Sequence, residues 1–447
     1  MIVMKFGGSS VADAQRIRHV IGIVKTQLGR KPVLVLSAMG DTTDYLLQAG
    51  SNALQNGEVS IQQIEKLHLD TIKKLKLPNQ ARNEIISLME ELKRLLSGIS
   101  LIRELTPRTK DFLVSFGERL SVRIAAAFCN SQNIPAIACD AWDVGFFSDS
   151  NYTGAELIKE SWDIIPSKIT PFVKKGILPI VTGFIAKDSN GSIATLGRGG
   201  SDLTATMIAA ACKAEEVQVW KDVDGILTAD PRIVNKARPV ESVSYDEASE
   251  LAYFGAQVLH PRAMQPCIKT GTPVLVKNSY NIDAPGTRIV ASIDKKSVPV
   301  RAITFRRDVT LVDIVSSRML GQYGFLAEVF SCFARHCISV DMVATSEVSV
   351  SLTLDAAQDI TAVKKELSRI ATIDIKTGMA IVTIVGNVKR SSEILARAFR
   401  TCQLIGVTVQ MVSQGASKVN ISFIVNDAEA VEVVKALHID FFQSMKD

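Results

Sequence analysis

The chain has 447 residues, 47% hydrophobic and 22% charged, with 51 lysines and arginines against 46 aspartates and glutamates for a net charge of +5. This composition excludes a disordered or collagen-like polymer, and at ~150 residues per domain the length suggests about three domains. The faint basic bias, with no block of like charge, is no footprint for nucleic acid, and no apolar run reaches the ~18 residues of a membrane span.

Lys5 and Gly7-Gly8 interrupt the N-terminal apolar residues before the core of a signal peptide could form. The seven cysteines are odd in number and contain no C-x-x-C pair, so neither a disulfide framework nor a zinc site is expected. A cytoplasmic, reducing location is the expectation. Residues 2–6 read as a strand ending in a glycine turn, and Ile17, Val20, Ile21 and Val24 then recur at the spacing of an amphipathic helix. Further apolar strands are predicted at 33–36, 134–139, 178–181 and 217–220, separated by helical pattern, which indicates a mostly parallel sheet covered on both faces. Residues 58–128 read as mainly helical, and 58–105 as scaffold. The composition shifts after Ala284-Pro-Gly-Thr287, placing a domain boundary near 290–300.

The last third holds an internal repeat. Leu326-Ala327-x-x-Phe330 returns as Leu395-Ala396-x-x-Phe399, Ile338-Ser-Val340 as Val407-Thr-Val409, and Val350-x-Leu352-x-Leu354 as Val419-x-Ile421-x-Phe423, each pair 69 positions apart. Each unit reads strand (310–315; 380–385), helix, two alternating strands, helix (about 359–371; about 428–437). Units this small are more stable side by side, and the joint between them is a natural seat for a small ligand.

Two glycine-rich turns stand before helices, one at Lys5-Phe-Gly7-Gly8-Ser9-Ser10 and one at Gly197-Arg198-Gly199-Gly200-Ser201-Asp202. Neither is a Walker A loop or G-x-G-x-x-G, but glycines let backbone N–H groups at a helix start approach an anion. A lysine there can neutralise a migrating phosphoryl group, and an arginine offers a fork to a carboxylate, so the pair fits a phosphate donor and a carboxylate acceptor. A third turn, Trp220-Lys-Asp222-Val-Asp224-Gly, fits an ordinary turn or a segment orienting nucleotide or magnesium waters. His260, between an apolar run and Pro261, reads as structural, and the cysteines read as core residues.

Lys-Phe-Gly-Gly-Ser-Ser at 5–10, Ser37-Ala-Met39 with Thr42-Thr43, Phe116-Gly-Glu118, Gly-Arg-Gly-Gly-Ser-Asp at 197–202, Trp-Lys-Asp-Val-Asp-Gly at 220–225, Asp-Pro-Arg at 230–232 and Phe-Gly-Ala-Gln-Val-Leu-His-Pro at 254–261 resemble, in order and spacing, the aspartate kinases of the amino-acid kinase family. The repeat is similar to their paired ACT domains, of the lysine-inhibited, monofunctional type. The resemblance implies an α/β fold: a three-layer, carbamate kinase-like domain over 1–292, then two α+β ferredoxin-like ACT domains over 310–378 and 379–447, the second taking its first strand from 299–305. It implies ATP-dependent phosphorylation of the β-carboxylate of L-aspartate, the first step toward lysine, threonine and methionine, with Mg2+, and with no metal ligands assigned to side chains.

The same resemblance implies that Lys5 stabilises the transferring phosphoryl group while Asp202 organises the site. It places Gly7, Gly8, Ser9, Gly199 and Gly200 at phosphates. Arg198 would take the substrate α-carboxylate and Glu118 its ammonium, with Thr43 and Ser201 hydrogen-bonding the aspartate. Trp220, Lys221, Asp222, Asp224, Leu227, Arg232, Gln257 and Val258 would border ATP, although Gln257 stands where many members carry lysine. Free L-lysine is the implied effector, near Met319, Gln322, Gly324, Phe325, Leu326, Val340, Asp341, Thr345 and Glu347. A homodimer or homotetramer through the ACT domains is implied, without nucleic-acid or membrane partners. The alternatives are a kinase for glutamate or N-acetylglutamate, which lacks a reason for Glu118, and a silent amino-acid sensor, which should have lost Lys5 or Asp202.

Overall fold

In the computed structural model, which describes residues 1–254, 259–293, 300–316, 323–355, 358–414 and 419–443, the apolar runs of the first half become strands of one sheet. Met1–Ile226, Glu241–Tyr245 and Val258–Ile293 form one compact unit. Its elements in order are β1 (Ile2–Phe6), α1 (Ala14–Thr26), β2 (Pro32–Leu36), four successive helices α2 (Thr42–Asn56), α3 (Gln62–Leu75), α4 (Asn79–Ile102) and α5 (Pro107–Ser131), β3 (Ala136–Cys139), α6 (Ser161–Lys174), β4 (Leu178–Thr182), the hairpin β5 (Ile185–Lys187) and β6 (Ile193–Thr195), α7 (Gly200–Ala211), β7 (Val217–Lys221), β8 (Ser242–Ser244), α8 (Tyr245–Tyr253), α9 (Pro261–Thr270), β9 (Val274–Asn278) and β10 (Thr287–Val290). All of α8 beyond Tyr245 belongs to the second unit.

The sheet runs β3-β4-β2-β1-β7-β9-β10-β8 and is parallel apart from the β9–β10 pair. Its central strands are buried on both faces, as a parallel sheet between helical layers requires. The exception is β3, which lies at the sheet edge; Ile137, expected to be buried, is 36% exposed there. Strand alternation decides where the chemistry falls. Ile2, Met4 and Phe6 join the core with α1–α5, so Lys5 must point to the other face, where it meets α7. None of the described helices is long and apolar enough to cross a membrane.

Leu227–Val240, Asp246–Gln257 and Asp294–Asp447 form the second unit. It contains β11 (Val300–Val315), α10 (Phe325–Arg335), β12 (Val343–Thr345), β13 (Ser349–Asp355), α11 (Thr361–Leu367), β14 (Thr372–Gly386), α12 (Ser391–Leu404), β15 (Met411–Ser413), β16 (Asn420–Asn426) and α13 (Asp427–Phe442). The sheet order β12-β13-β11-β14-β16-β15 is antiparallel throughout and shows the internal repeat as geometry. Two long strands are shared: Ala302–Val385 through Arg306–Ile381 pair in one half, and Leu311–Lys376 through Val315–Thr372 in the other, with register shifts between the halves. Each half has its own core, one around Val382, Phe423 and Leu437 and the other around Ile314, Phe333 and Leu352. Ala229 and Val234 join the first of these cores, although they lie within the span expected of the kinase domain.

All seven cysteines are unpaired. Burial pushes the thiols of Cys129, Cys139, Cys212 and Cys267 up to about 12, so they stay protonated. Cys337 departs from the expected core placement: it is exposed, in a left-handed turn after α10.

Candidate active site

A cavity of about 390 Å³ in the first unit is lined by Lys5, Gly8, Ser37, Ala38, Gly40, Thr43, Glu118, Phe184 and the whole of the Gly197–Asp202 loop. Each lining group comes from an element that the sequence shapes for it. The β1 strand delivers Lys5 at its C-terminal end, where open parallel sheets receive ligands. Gly199 caps α7 at φ +75°, a left-handed conformation, and any Cβ there would lie 2.7 Å from the Cβ of His260. Gly200 N–H already donates to Gly197 O and Leu203 N–H to Gly199 O, so the N–H groups of Ser201 and Asp202, both residues of the cavity lining, are the ones at the start of α7 that suit an anion. His260 itself caps α9 by accepting from Arg262 N, which fits its structural reading.

The first loop is equally tight. A Cβ on Gly8 would stand 2.8 Å from the carbonyl oxygen of Ala38, a backbone atom that cannot rotate away. Gly8→Ala should therefore displace the loop and lower kcat/KM roughly tenfold, as overpacking of about 1–3 kcal/mol would; steady-state kinetics with ATP and aspartate both varied checks it.

Lys5 Nζ lies 2.7 Å from Asp202 Oδ1, and Lys221 Nζ is 3.8 Å from Oδ2. Burial alone would raise the Asp202 carboxyl, but the two lysines outweigh it and hold the group below its usual range. Burial in turn lowers the Lys221 ammonium, against the pull of Asp202. Both Lys5 and Asp202 are buried, so the pair is a fixed, nearly dry charge at the floor of the cavity.

Glu118 is buried on α5, whose start is fixed by Thr106 accepting from Thr109 N and by Pro107 at its first position. One carboxylate oxygen accepts from Ala38 N at 3.1 Å, and the other, Oε2, has no partner among the described residues. Burial pushes its pKa up to about 8, against the opposing Ala38 hydrogen bond and the Lys5 charge. Arg198 is exposed at the rim and makes no ion pair with a described residue, while Ser201 and Thr43 are half-buried in the wall.

The expected nucleotide residues are less gathered. Trp220 is a correction: it is 2% exposed, stacks on Phe6 at 5.6 Å and belongs to the core, with Lys277 over its ring. The β1–β7 register pairs Phe6 with Trp220 and Lys5 with Val219, so the ring lies on the sheet face opposite Lys5. Asp224 accepts from Asn278 and Asn281, and Asp222 is exposed. Leu227 and Arg232 belong to the second unit, where Arg232 is ion-paired with Asp230 at 2.6 Å. Gln257 and Val258 lie outside the described residues. Ser9 is exposed at the first loop and Gly7 half-buried. Phe184 is a lining residue that no sequence signal marked; it holds φ +71° and donates its N–H to Thr204 on α7.

In the second unit, Gly324 caps α10 at φ +90°, with Phe325 buried behind it and Leu326 exposed. Val340 is half-buried, and Thr345 and Glu347 are exposed. Asp341 already has partners: Arg306 Nη1 at 3.1 Å and the hydroxyl of Tyr253, which donates at 2.9 Å. Met319 and Gln322 lie outside the described residues.

The amino acid kinase family model matches residues 1–278, and the ACT domain model matches 312–365 and 382–441. Aspartokinase 1, chloroplastic, of Arabidopsis thaliana is 49% identical over 99% of this chain and 80% of its own. Two crystal structures of E. coli aspartokinase III, one with aspartate and ADP in the R state and one with lysine and aspartate in the T state, superpose with TM-scores of 0.83 and 0.82 at 33% identity, covering 99% of this chain and 100% of theirs. The chain belongs to the aspartokinases of the amino acid kinase family, phosphotransferases that take aspartate as acceptor and carry paired ACT domains.

Proposed function

We propose that the cavity around Lys5 is where this aspartate kinase transfers the ATP γ-phosphoryl group to the β-carboxylate of L-aspartate. The observation that carries the assignment is Glu118 Oε2: a buried carboxylate oxygen without a partner among the described residues, on the wall of the cavity, is a seat for a cation, and the α-ammonium of aspartate supplies one. Arg198, exposed at the rim, takes the α-carboxylate as a planar fork, and Thr43 and Ser201 hydrogen-bond the substrate. The β-carboxylate is ionised at neutral pH and needs no general base. Positioning and charge neutralisation then do the catalysis, with Lys5 meeting the charge on the transferring group and Asp202 fixing the Lys5 ammonium. The α7 N-terminus and the Gly7–Gly8 turn receive phosphate oxygens.

Magnesium enters on the nucleotide in this reading. The two oxygens of Asp202 face Lys5 and Lys221, and Glu118 is reserved for the substrate, so the cation is carried mainly by phosphate and water. Lys221, Asp222 and Asp224 edge the nucleotide, Trp220 through its backbone alone.

L-Lysine is the proposed effector, seated near Gly324–Leu326 with Asp341 and Glu347 for its ammonium groups. For Asp341 to accept it, Arg306 must give way, which supplies a differential interaction between two states. The coupling to catalysis is of the usual ~1–3 kcal/mol. Apolar groups left exposed at matching repeat positions, Phe330 on α10 and Phe399 on α12, and the edge strands β12 and β15 support assembly as a homodimer or homotetramer. The free thiols suit a reducing compartment such as the cytoplasm.

Trapping the acyl phosphate as a hydroxamate tests these assignments. Product should vanish with EDTA and return with magnesium, and millimolar lysine should inhibit while threonine and methionine alone do not. Inhibition by threonine and not lysine would reject the effector assignment.

A further inference from the structure

A second cavity in the first unit, of about 470 Å³, is walled by Glu91, Arg108, Phe112, Arg119, Trp142 and Lys187. It shares no lining residue with the cavity that holds Lys5 and Glu118. Its described lining holds three cations and one carboxylate, with the carboxylates of Asp140 and Asp143 standing behind the lining near Arg119 and Lys187. Glu91 is already matched, by Arg119 Nη2 at 3.2 Å, whereas Arg108 makes no ion pair with a described residue and Lys187 meets the face of Trp142, its Nζ 4.3 Å from the ring centroid. Arg119 is 11% exposed, and its Nε has no hydrogen-bond partner among the described residues, the nearby Asp140 carboxylate standing 3.9 Å away. Buried donors are seldom left without an acceptor. The guanidinium of Arg108, beside Lys187 and the rings of Phe112 and Trp142, is complementary to an organic anion with a flat apolar body.

The cavity is bounded by α5, which carries Glu118, and by the β5–β6 hairpin, which leads into the Gly197–Asp202 loop. Arg119 directly follows Glu118 on α5. Gly191, Ser192 and Ile193 at the turn between β5 and β6 also line it, and Thr195 at the end of β6 is tied to α5 by donating its N–H and hydroxyl to Asp111 at 2.8 and 2.9 Å. Two residues later the chain enters the Gly197–Asp202 loop. We infer that this cavity is a second regulatory site, for a small organic dianion with an aromatic body, and that its occupancy shifts the affinity for aspartate through α5. The binding half stands by itself, and the kinetic half rests on the assignment of Glu118 to the substrate ammonium.

Phenyl phosphate is a suitable probe, titrated calorimetrically into the full chain with ADP and aspartate saturating so that the catalytic cavity is filled. Saturable binding at one site per chain is expected, weakened roughly tenfold or more in the Arg108→Gln/Lys187→Gln double variant, as the loss of charge-assisted hydrogen bonds implies. The KM for aspartate should move by about twofold or more with the probe in the parent enzyme and stay fixed in the double variant. No saturable binding, or binding unchanged in the double variant, overturns the site. Binding that leaves KM unmoved overturns the coupling, and since binding is read as heat, that result is separable from a failure of the Glu118 assignment, which the Glu118→Gln variant reads without any probe.

Discussion

Lys5→Ala lowers turnover by at least ~10²–10³ while the KM for aspartate changes little, the expected result of losing one donor that acts mainly in the transition state. Two features make the loss large. The ammonium is buried and held 2.7 Å from Asp202, so it is oriented before substrate arrives, and no water-exposed cation can replace it without reorganising the floor of the cavity. Lys221 is the neighbouring positive charge, but it faces the other Asp202 oxygen, at 3.8 Å. The variant also leaves Asp202 with less compensation, so the carboxyl, now held down mainly by Lys221, rises toward its buried value. A turnover equal to the parent enzyme's would remove Lys5 from the chemistry.

Glu118→Gln has the opposite signature: the KM for aspartate rises by about 10² or more while folding stability at alkaline pH increases. Breaking a buried ammonium–carboxylate pair by removing one partner costs about 3–5 kcal/mol, and glutamine supplies no charge to replace the carboxylate. The stability sign follows from the raised pKa. Between the unfolded value of 4.5 and the folded value of about 8 the native state holds a proton that the unfolded chain releases, so Glu118 subtracts stability as pH climbs through that window, and the penalty is complete above pH 8. Glutamine does not titrate. The variant's Tm should exceed the parent's by several degrees at pH 8.5, as relief of an uncompensated buried group worth about 1–3 kcal/mol implies, and the difference should shrink toward pH 5. In the parent enzyme kcat/KM for aspartate should climb as pH approaches 8, because the ionised seat binds the ammonium, and the variant should lose that rise. Thermal melts and pH profiles on the two proteins separate these effects from simple misfolding.

Much of this site is legible in the sequence because glycine turns and the residues beside them are local signals. Lys5 before Gly7-Gly8 and Asp202 after Gly199-Gly200 identify themselves, and the structure brings them into contact from opposite ends of a 197-residue separation. The 69-residue repeat likewise translates directly into two halves of one antiparallel sheet. What is not legible depends on register and on distant partners. Trp220 belongs to a motif beside the site, yet its pairing with Phe6 turns the ring into the core, and only the β1–β7 register reveals it. Asp341 reads as an open seat for an ammonium until Arg306, on the neighbouring long strand, is found against it. Phe184 reaches the cavity through a left-handed backbone that its residue type does not predict. The packing of Ala229 and Val234 into the core of the second repeat cannot be read from a linear boundary near residue 290.

Recognition of a free α-ammonium by Glu118 is the central claim, and substrate choice tests it most directly. Hydroxamate formation with ATP is measured for L-aspartate, L-glutamate and N-acetyl-L-glutamate at equal concentration. The predicted result is product from aspartate, little from glutamate, whose longer side chain misplaces the carboxylate, and none from N-acetylglutamate, which has no cation for the buried oxygen of Glu118. Comparable turnover of N-acetylglutamate, or activity on glutamate alone, would contradict it.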